Sequence, residues 1–268
     1  MRRSLWRIAG ELVLLAVLYV AYSAARLLAS DDTALAIKHA NDVLGVERWW
    51  HIGVETSWNS VLARHEFLSI FAGYWYASMH YLITPLVLVL LWRHSHAHYV
   101  KYRRVLVGAT AIALGAYIFY PTAPPRIMDG YVDILATTSH WGWWGASASA
   151  PRGLGDLTNE LAAMPSMHVG WALWCTMAII SITQALWLRI GAVLYVVVTT
   201  LVVVATANHW LLDAIVGAGI TAAVWWVLRT LSQRPDDSTR ASRSADRFDD
   251  IPGDDRIVGE DELVPVRS

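Results

Sequence analysis

The segment "NHWLLD", residues 208–213, contains a histidine and a carboxylate at a spacing that could support covalent catalysis. His209 and Asp213 are four residues apart, so on a helix they lie on the same face. A carboxylate in that position can accept a hydrogen bond from one imidazole nitrogen and leave the other free as a base or nucleophile. The spacing therefore predicts a catalytic pair in which Asp213 orients His209.

A second polar group stands at the start of an apolar run, in the segment "AAMPSMHVGWALW". Pro165 suits the first position of a helix, and the unpaired N–H groups of a helix N-terminus attract anions, phosphate above all. In that first turn Ser166 is either a phosphate ligand or only a helix cap. His168, two residues further on, is placed to supply a proton.

Arg126 ends the segment "YPTAPPR". Its guanidinium is a planar, permanently charged fork that matches phosphate geometry, although an interfacial anchor is the plainer interpretation of a lone arginine beside a membrane span. Taken with the two histidine segments, it completes a set of groups suited to phosphoryl transfer by covalent catalysis, with no metal ion and no cofactor.

The composition shows which elements must position these groups. The 268 residues are 56% hydrophobic and include fifteen Trp, which indicates a polytopic membrane protein. A membrane-spanning helix needs about 20 mostly apolar residues. Six stretches qualify, and they predict an all-α bundle of six transmembrane helices. The predicted spans are 8–28, 67–92, 104–121, 165–187, 190–207 and 209–229.

The arginines and lysines near the span ends predict the orientation. They cluster at the N-terminus, between spans 2 and 3, after span 4 and after span 6, all on one side if six spans are present. That side is the cytoplasm by the positive-inside rule, so both termini of this inner-membrane protein would be cytoplasmic. The groups at Arg126, His168 and His209 would then lie in one extracytoplasmic layer.

Four segments follow from this scheme. Residues 1–30 form the first span, 31–66 an extracytoplasmic, amphipathic helical segment at the membrane interface, and 67–231 a catalytic core of five spans. The tail, 232–268, holds ten of the 22 acids and six of the 21 bases and has no Trp. Such a segment buries too little apolar surface to fold, so we predict that it is disordered.

The segments "PSMH" and "NHWLLD" resemble the second and third motifs of the type 2 phosphatidic acid phosphatase superfamily. "YPTAPPR", together with "YWYASMHY" at residues 74–81, resembles the inositol-phosphorylceramide synthase-like branch of that superfamily. The resemblance covers about residues 35–230. It implies a six-helix bundle and a metal-independent lipid phosphatase or phosphotransferase, acting at the outer leaflet through a phosphohistidine.

The resemblance also implies a role for each matching residue. His209 is similar to the nucleophile, Asp213 to its orienting carboxylate, and His168 to the acid that protonates the leaving oxygen. Ser166 with its neighbouring N–H groups resembles the phosphate ligands, and Arg126 the basic residue of the first motif.

Three positions depart from the commonest motifs of the superfamily, as they do in the synthase-like branch. Phe119, Met167 and Val203 stand where those motifs have Lys, Gly and Arg. The phosphate would therefore meet fewer cations, and Arg152 in the same outer loop is our candidate for a second one.

Alternatives remain open at this stage. Water or an alcohol could resolve the intermediate, which would make the enzyme a phosphatase or a phosphotransferase. A transporter could bind an anion with the same residues, although no internal repeat supports it. A zinc hydrolase could use His168, His209 and Asp213 as ligands. His80 either hydrogen-bonds inside the bundle or lines the site, and we prefer the structural role. "HSHAH" could suggest a metal site, but we interpret it as a solvated loop, and no segment resembles a nucleic-acid-binding patch. The partners are thus a phosphorylated lipid and the surrounding membrane lipids.

Overall fold

The computed structural model describes residues 32–144 and 160–232, together with the isolated positions Val13, Val17 and Val20. Most of the predicted first span, Arg152 and the tail from residue 233 lie outside the described residues. The described part contains eight α-helices and no strand, which confirms the all-α prediction. The helices are α1 (Thr33–Trp50), α2 (Glu55–Ala63), α3 (Glu66–His94), α4 (His96–Phe119), α5 (Ile134–Thr137), α6 (Met167–Ile182), α7 (Leu186–Ala205) and α8 (Leu211–Ser232).

Four of these helices, α3, α4, α7 and α8, are long and apolar enough to cross a membrane. Helix α6 is apolar but has only 16 residues. The outward faces are apolar as well: on α3, for example, Leu82, Leu86 and Val89 are more than half exposed, which is typical of a lipid-facing surface. The count of six spans stays a prediction.

The loop predicted between spans 2 and 3 is almost absent. Helix α3 ends at His94 and α4 begins at His96, so only Ser95 separates them. The basic residues between these two predicted spans, such as Lys101 and Arg103, lie on α4. Lysine and arginine are good helix formers, and therefore the helix extends past the apolar stretch that bounds a span.

The predicted interfacial segment consists of α1 and α2. Asp32 caps α1 by accepting a hydrogen bond from the backbone N–H of Leu35 at 3.0 Å. The buried positions of α1 recur every three or four residues and end with Glu47, so one face of the helix points inward. Other buried residues of this face belong to the same apolar cluster as Trp210, beside α8. Interfacial placement and amphipathic character remain predictions for this segment.

The chain divides into two compact units, residues 1–228 and residues 229–268. The first unit contains the helices from α1 to α7 and most of α8. The second is described only through Ser232, the last residue of α8.

A buried and a partly buried tryptophan join the helices of the core. The indole N–H of Trp174 on α6 donates to the carbonyl oxygen of Tyr102 on α4 at 2.7 Å, and that of Trp75 on α3 donates to Oγ1 of Thr199 on α7 at 3.1 Å. Each contact satisfies a polar atom that burial would otherwise leave unpaired. These bonds set the register of neighbouring helices, and with it the height at which α3 and α6 present their side chains.

Candidate active site

His209 lies in the short turn between α7 and α8. The backbone N–H groups of Asn208 and His209 both donate to the carbonyl oxygen of Val203, at 3.2 and 3.1 Å. Ala207 adopts the left-handed conformation, with φ of 58°. The turn therefore ends α7 and delivers His209, 4% exposed, into the protein interior.

The imidazole of His209 has one engaged nitrogen and one free nitrogen. Nδ1 lies 2.8 Å from the carbonyl oxygen of Ala163, and because a carbonyl oxygen only accepts, Nδ1 carries the proton. Nε2 then holds a lone pair, and it is buried with no hydrogen-bond partner among the described residues. This is the protonation pattern that a nucleophilic imidazole requires.

Asp213 faces His209 but does not hydrogen-bond to it as the four-residue spacing predicted. Its Oδ2 is 3.6 Å from Nδ1 of His209, and instead accepts the backbone N–H of Trp210 at 2.8 Å. The carboxylate thus caps the start of α8, while the carbonyl of Ala163 takes the imidazole proton. At this separation a fully buried carboxylate still stabilises positive charge on the ring.

His168 and His209, which are 41 residues apart in the chain, meet in the folded protein. Their ring centroids are 5.5 Å apart, with 60° between the ring planes. Nε2 of His168, like Nε2 of His209, is buried with no partner in the described part of the chain. Buried polar atoms rarely stay unpaired in proteins, so a pair of them side by side marks a place for a ligand.

Two residues of α3 hold the ring of His168. Tyr76 stacks on it with centroids 4.3 Å apart and 25° between planes, and His80 meets it edge-on at 4.5 Å and 81°. A structural role was preferred for His80 over a place in the site, and Tyr76 was not among the predicted site residues. Their spacing of four residues was a signal that both lie on one face of α3, although it did not show which helix that face would meet.

Ser166 is the N-cap of α6, which begins at Met167. Pro165 therefore precedes the cap, and its predicted place at the first helical position is wrong. Oγ of Ser166 makes no capping hydrogen bond and is buried without a partner among the described residues. The backbone N–H of Ser166 donates to the carbonyl oxygen of Asp213 at 2.9 Å. The start of α6 is thereby joined to α8, with an unused hydroxyl beside the histidines.

Close packing keeps this helix start in place. A Cβ atom at Gly217 of α8 would collide with the backbone carbonyl of Ser166, so only glycine allows the observed approach. On the other side, the hydroxyl of Tyr117 donates to the carbonyl oxygen of Pro165 at 2.7 Å. The anion-attracting end of α6 is thus fixed by both α4 and α8.

Arg126 lies in a 3₁₀ turn, Pro125–Ile127, and its side chain is 4% exposed. Its Nε donates to Oδ1 of Asn208, the neighbour of His209, at 3.1 Å. Its terminal nitrogens lie 3.5 Å from Asp133 and 4.0 Å from Glu160. The guanidinium is therefore next to the nucleophile candidate, and its charge is partly balanced.

Asn208 was not among the predicted site residues, although it stands first in "NHWLLD". Its Nδ2 donates to Oγ1 of Thr206 at 3.0 Å, which turns Oδ1 toward Arg126. An amide does not titrate, so nothing in its residue type suggested a role beside a histidine. Arg152, the other predicted phosphate ligand, lies outside the described residues.

The described residues contain no group of three His, Cys, Asp or Glu side chains that could hold a metal ion. In that part of the chain His168 contacts His80 and His209, and His209 in turn lies near Asp213.

The chain belongs to the PAP2 superfamily, whose sequence profile matches residues 41–227. This is the superfamily that the motifs resemble, so that part of the sequence-based identification is confirmed. Membership, together with four long apolar helices, makes the protein a membrane-bound enzyme of the phosphatase type. No curated protein and no solved structure matches the chain.

Proposed function

We propose that this protein is an integral-membrane lipid phosphatase or phosphotransferase that acts on a phosphorylated lipid through a phosphohistidine on His209. One observation carries the proposal: His168 and His209 lie side by side, each with an unpartnered buried Nε2. The motifs "YPTAPPR" and "YWYASMHY" favour an inositolphosphotransferase-like activity within this class.

In the first half-reaction the lone pair on Nε2 of His209 attacks phosphorus and forms an N–P bond. The bond from phosphorus to the leaving oxygen breaks, and its electron pair stays on that oxygen. His168, protonated at this stage, donates a proton to the same oxygen. Asp213 stabilises the positive charge that develops on the His209 ring.

In the second half-reaction the hydroxyl of water or of an alcohol attacks the phosphohistidine. His168, now neutral, takes the proton from that hydroxyl, and the N–P bond returns its electron pair to Nε2 of His209. Water yields free phosphate, whereas an alcohol yields a new phosphate ester. The enzyme regains its starting protonation state in both cases.

The negative charge on the transferring phosphoryl group would be held by groups that are already positioned. Arg126 supplies charged donors, and Ser166 with the N-terminus of α6 supplies a hydroxyl and N–H groups. Arg152 is the further cation that we assign to this site. Preorganised donors of this kind stabilise the transition state at no cost of reorganisation.

The same proposal places the reaction at the outer leaflet of the cell membrane. Lysine and arginine residues at the other ends of the spans put both termini in the cytoplasm by the positive-inside rule. The substrate would then be a membrane lipid with its phosphate at the outer surface. The catalytic groups would act without a metal ion, and no nucleic acid is expected as a partner.

The test is an assay of the purified protein in detergent with a panel of phosphorylated lipids, with and without inositol or lipid alcohols. Release of phosphate alone identifies a phosphatase, and a new phosphate ester of the added alcohol identifies a transferase. A radiolabelled phosphoryl group should be trapped on the wild-type protein and absent from the His209→Ala protein.

Two results would contradict the proposal. Labelling of the His209→Ala protein at the wild-type level would remove His209 as the nucleophile. Loss of activity in EDTA that added Zn²⁺ restores would favour a metal-dependent hydrolase instead.

A further inference from the structure

Two glutamates that precede the first described span reach the N-terminus of α8. Oε1 of Glu55 accepts the backbone N–H of Leu211 at 2.8 Å, across 156 residues of sequence. Oε1 of Glu47 accepts the backbone N–H of Leu212 at 2.7 Å, across 165 residues. Helix caps normally come from the residue just before the helix, so these are long-range caps on the helix that follows His209.

With Asp213 bound to the N–H of Trp210, three consecutive amides each meet a separate carboxyl group. All three carboxyls are buried, with exposures of 0% for Glu47, 1% for Glu55 and 0% for Asp213. The unpaired N–H groups and the positive end of the helix dipole offset the burial of this charge. The arrangement begins one residue after the proposed nucleophile.

One of the glutamates carries a proton near neutral pH. Burial raises the pKa of Glu47 to about 8, and the nearby negative charges of Glu55 and Asp213 act in the same direction, whereas the N–H of Leu212 opposes them. Oε1 of Glu47 accepts the N–H of Leu212, whereas Oε2 has no hydrogen-bond partner in the described part of the chain and is free to hold that proton.

We propose that Glu47 and Glu55 are positioning residues for the reaction at His209. They fix the backbone of residues 210–212, and this backbone sets the direction of the His209 ring on one side and the place of Asp213 on the other. The inference rests on the proposed function, because it assigns these glutamates to the same phosphoryl transfer.

Substitutions by Gln and by Asp separate the effect of side-chain length at Glu47 and Glu55 from the effect of the ionisable carboxyl group. Glu47→Gln and Glu55→Gln keep an oxygen that accepts the amide N–H but lose the ionisable carboxyl group. Glu47→Asp and Glu55→Asp keep a carboxyl group but shorten the side chain by one methylene, so the bond is lost. We expect the Gln proteins to retain kcat within about threefold and the Asp proteins to lose about 10- to 100-fold in kcat, with KM little changed, because small misplacements cost rates of that order.

Glu66, exposed in the first turn of α3, is the matched control. Glu66→Gln and Glu66→Asp should leave kcat and KM at wild-type values. Equal kcat in the Gln and Asp proteins at positions 47 and 55 would overturn the proposal. Asp proteins more active than Gln proteins would overturn it as well, since charge and not reach would then matter.

Hydrogen–deuterium exchange of the peptide that covers residues 209–214 provides a readout independent of activity. The Asp proteins should exchange this peptide faster than wild type, and the Gln and Glu66 proteins should not. If the wild-type protein turns over no lipid but the Asp proteins exchange this peptide faster, the glutamates do cap α8 and the proposed function is wrong. If wild type is active and exchange is unchanged in the Asp proteins, the positioning role fails alone.

Discussion

Two groups of three histidines occupy this molecule, and both include residues of α3. The first group lies where α3 meets the starts of α6 and α8, and the second surrounds the junction of α3 with α4. The groups are His80, His168 and His209, and His94, His96 and His98.

Ring proximity does not distinguish the two groups. The centroids of His94 and His98 are 5.3 Å apart, and those of His168 and His209 are 5.5 Å apart. What differs is the surroundings. His94 is exposed to the exterior, whereas His209 is buried beside a carboxylate, a helix N-terminus and an arginine. From this comparison we expect an imidazole pair to become chemically useful only through the groups that fix its tautomer and its charge.

The largest expected effect comes from removing one histidine of the first group, and it is compared with the removal of two from the second. His209→Ala should lower phosphoryl-transfer activity by at least about 10³-fold, because the nucleophile is lost. The double variant His94→Ala/His96→Ala should stay within about twofold of wild type, as surface substitutions usually do. Steady-state rates on the best lipid substrate measure the activity of both variants. Similar losses in the two proteins would show that the two histidine groups do not differ in function.

His168→Ala should cost about 10²- to 10⁴-fold in kcat with an alkyl phosphate ester, since a general acid contributes that much. An aryl phosphate ester has a leaving group that needs little protonation, so the loss should be much smaller with it. Comparing kcat for the two esters in wild type and variant isolates the proton-donor role. An equal loss with both would instead indicate that His168 only shapes the site.

Arg126→Lys should reduce kcat by about 10²-fold, which is the usual effect of losing one preorganised donor to a developing anion. Lysine keeps the charge but cannot reproduce the fork that reaches Asn208 and the phosphate together. Arg104→Lys on α4 is the matched control, and we expect no change from it. If Arg126→Lys kept wild-type kcat, a point charge would suffice at this position.

The last prediction concerns stability and not the reaction rate. The pKa of Glu47 in the folded protein is about 8, against an ordinary value of 4.5. Its contribution to stability is thus fully present below pH 4.5 and is lost as the pH rises to 8, by up to about 1.4 kcal/mol per pH unit. The groups that face it are Glu55 and Asp213, with Tyr131 nearby.

Glu47→Gln removes this titration, so the variant should lose less stability than wild type between pH 5 and 8. Thermal unfolding in detergent across that range measures the difference between the two proteins, and parallel curves would mean that Glu47 does not take up a proton on folding. His94→Ala leaves Glu47 unchanged, so the stability of this variant should fall with pH as that of wild type does.

The sequence alone predicted the all-α class and the family, and four of its six predicted spans correspond to long apolar helices in the described residues. It also indicated that His209 and Asp213 share one side of a helix start and that His168 lies at the beginning of another. These features are local: hydropathy and a spacing of four residues depend only on neighbours along the chain.

Only the tertiary structure decided which groups meet. It chose the carbonyl of Ala163, and not Asp213, as the partner of Nδ1 of His209, and it brought Glu47 and Glu55 across more than 150 residues to the start of α8. In the sequence these glutamates look like the polar face of a surface helix. Burial and hydrogen-bond partners depend on how helices pack, and no local pattern encodes that.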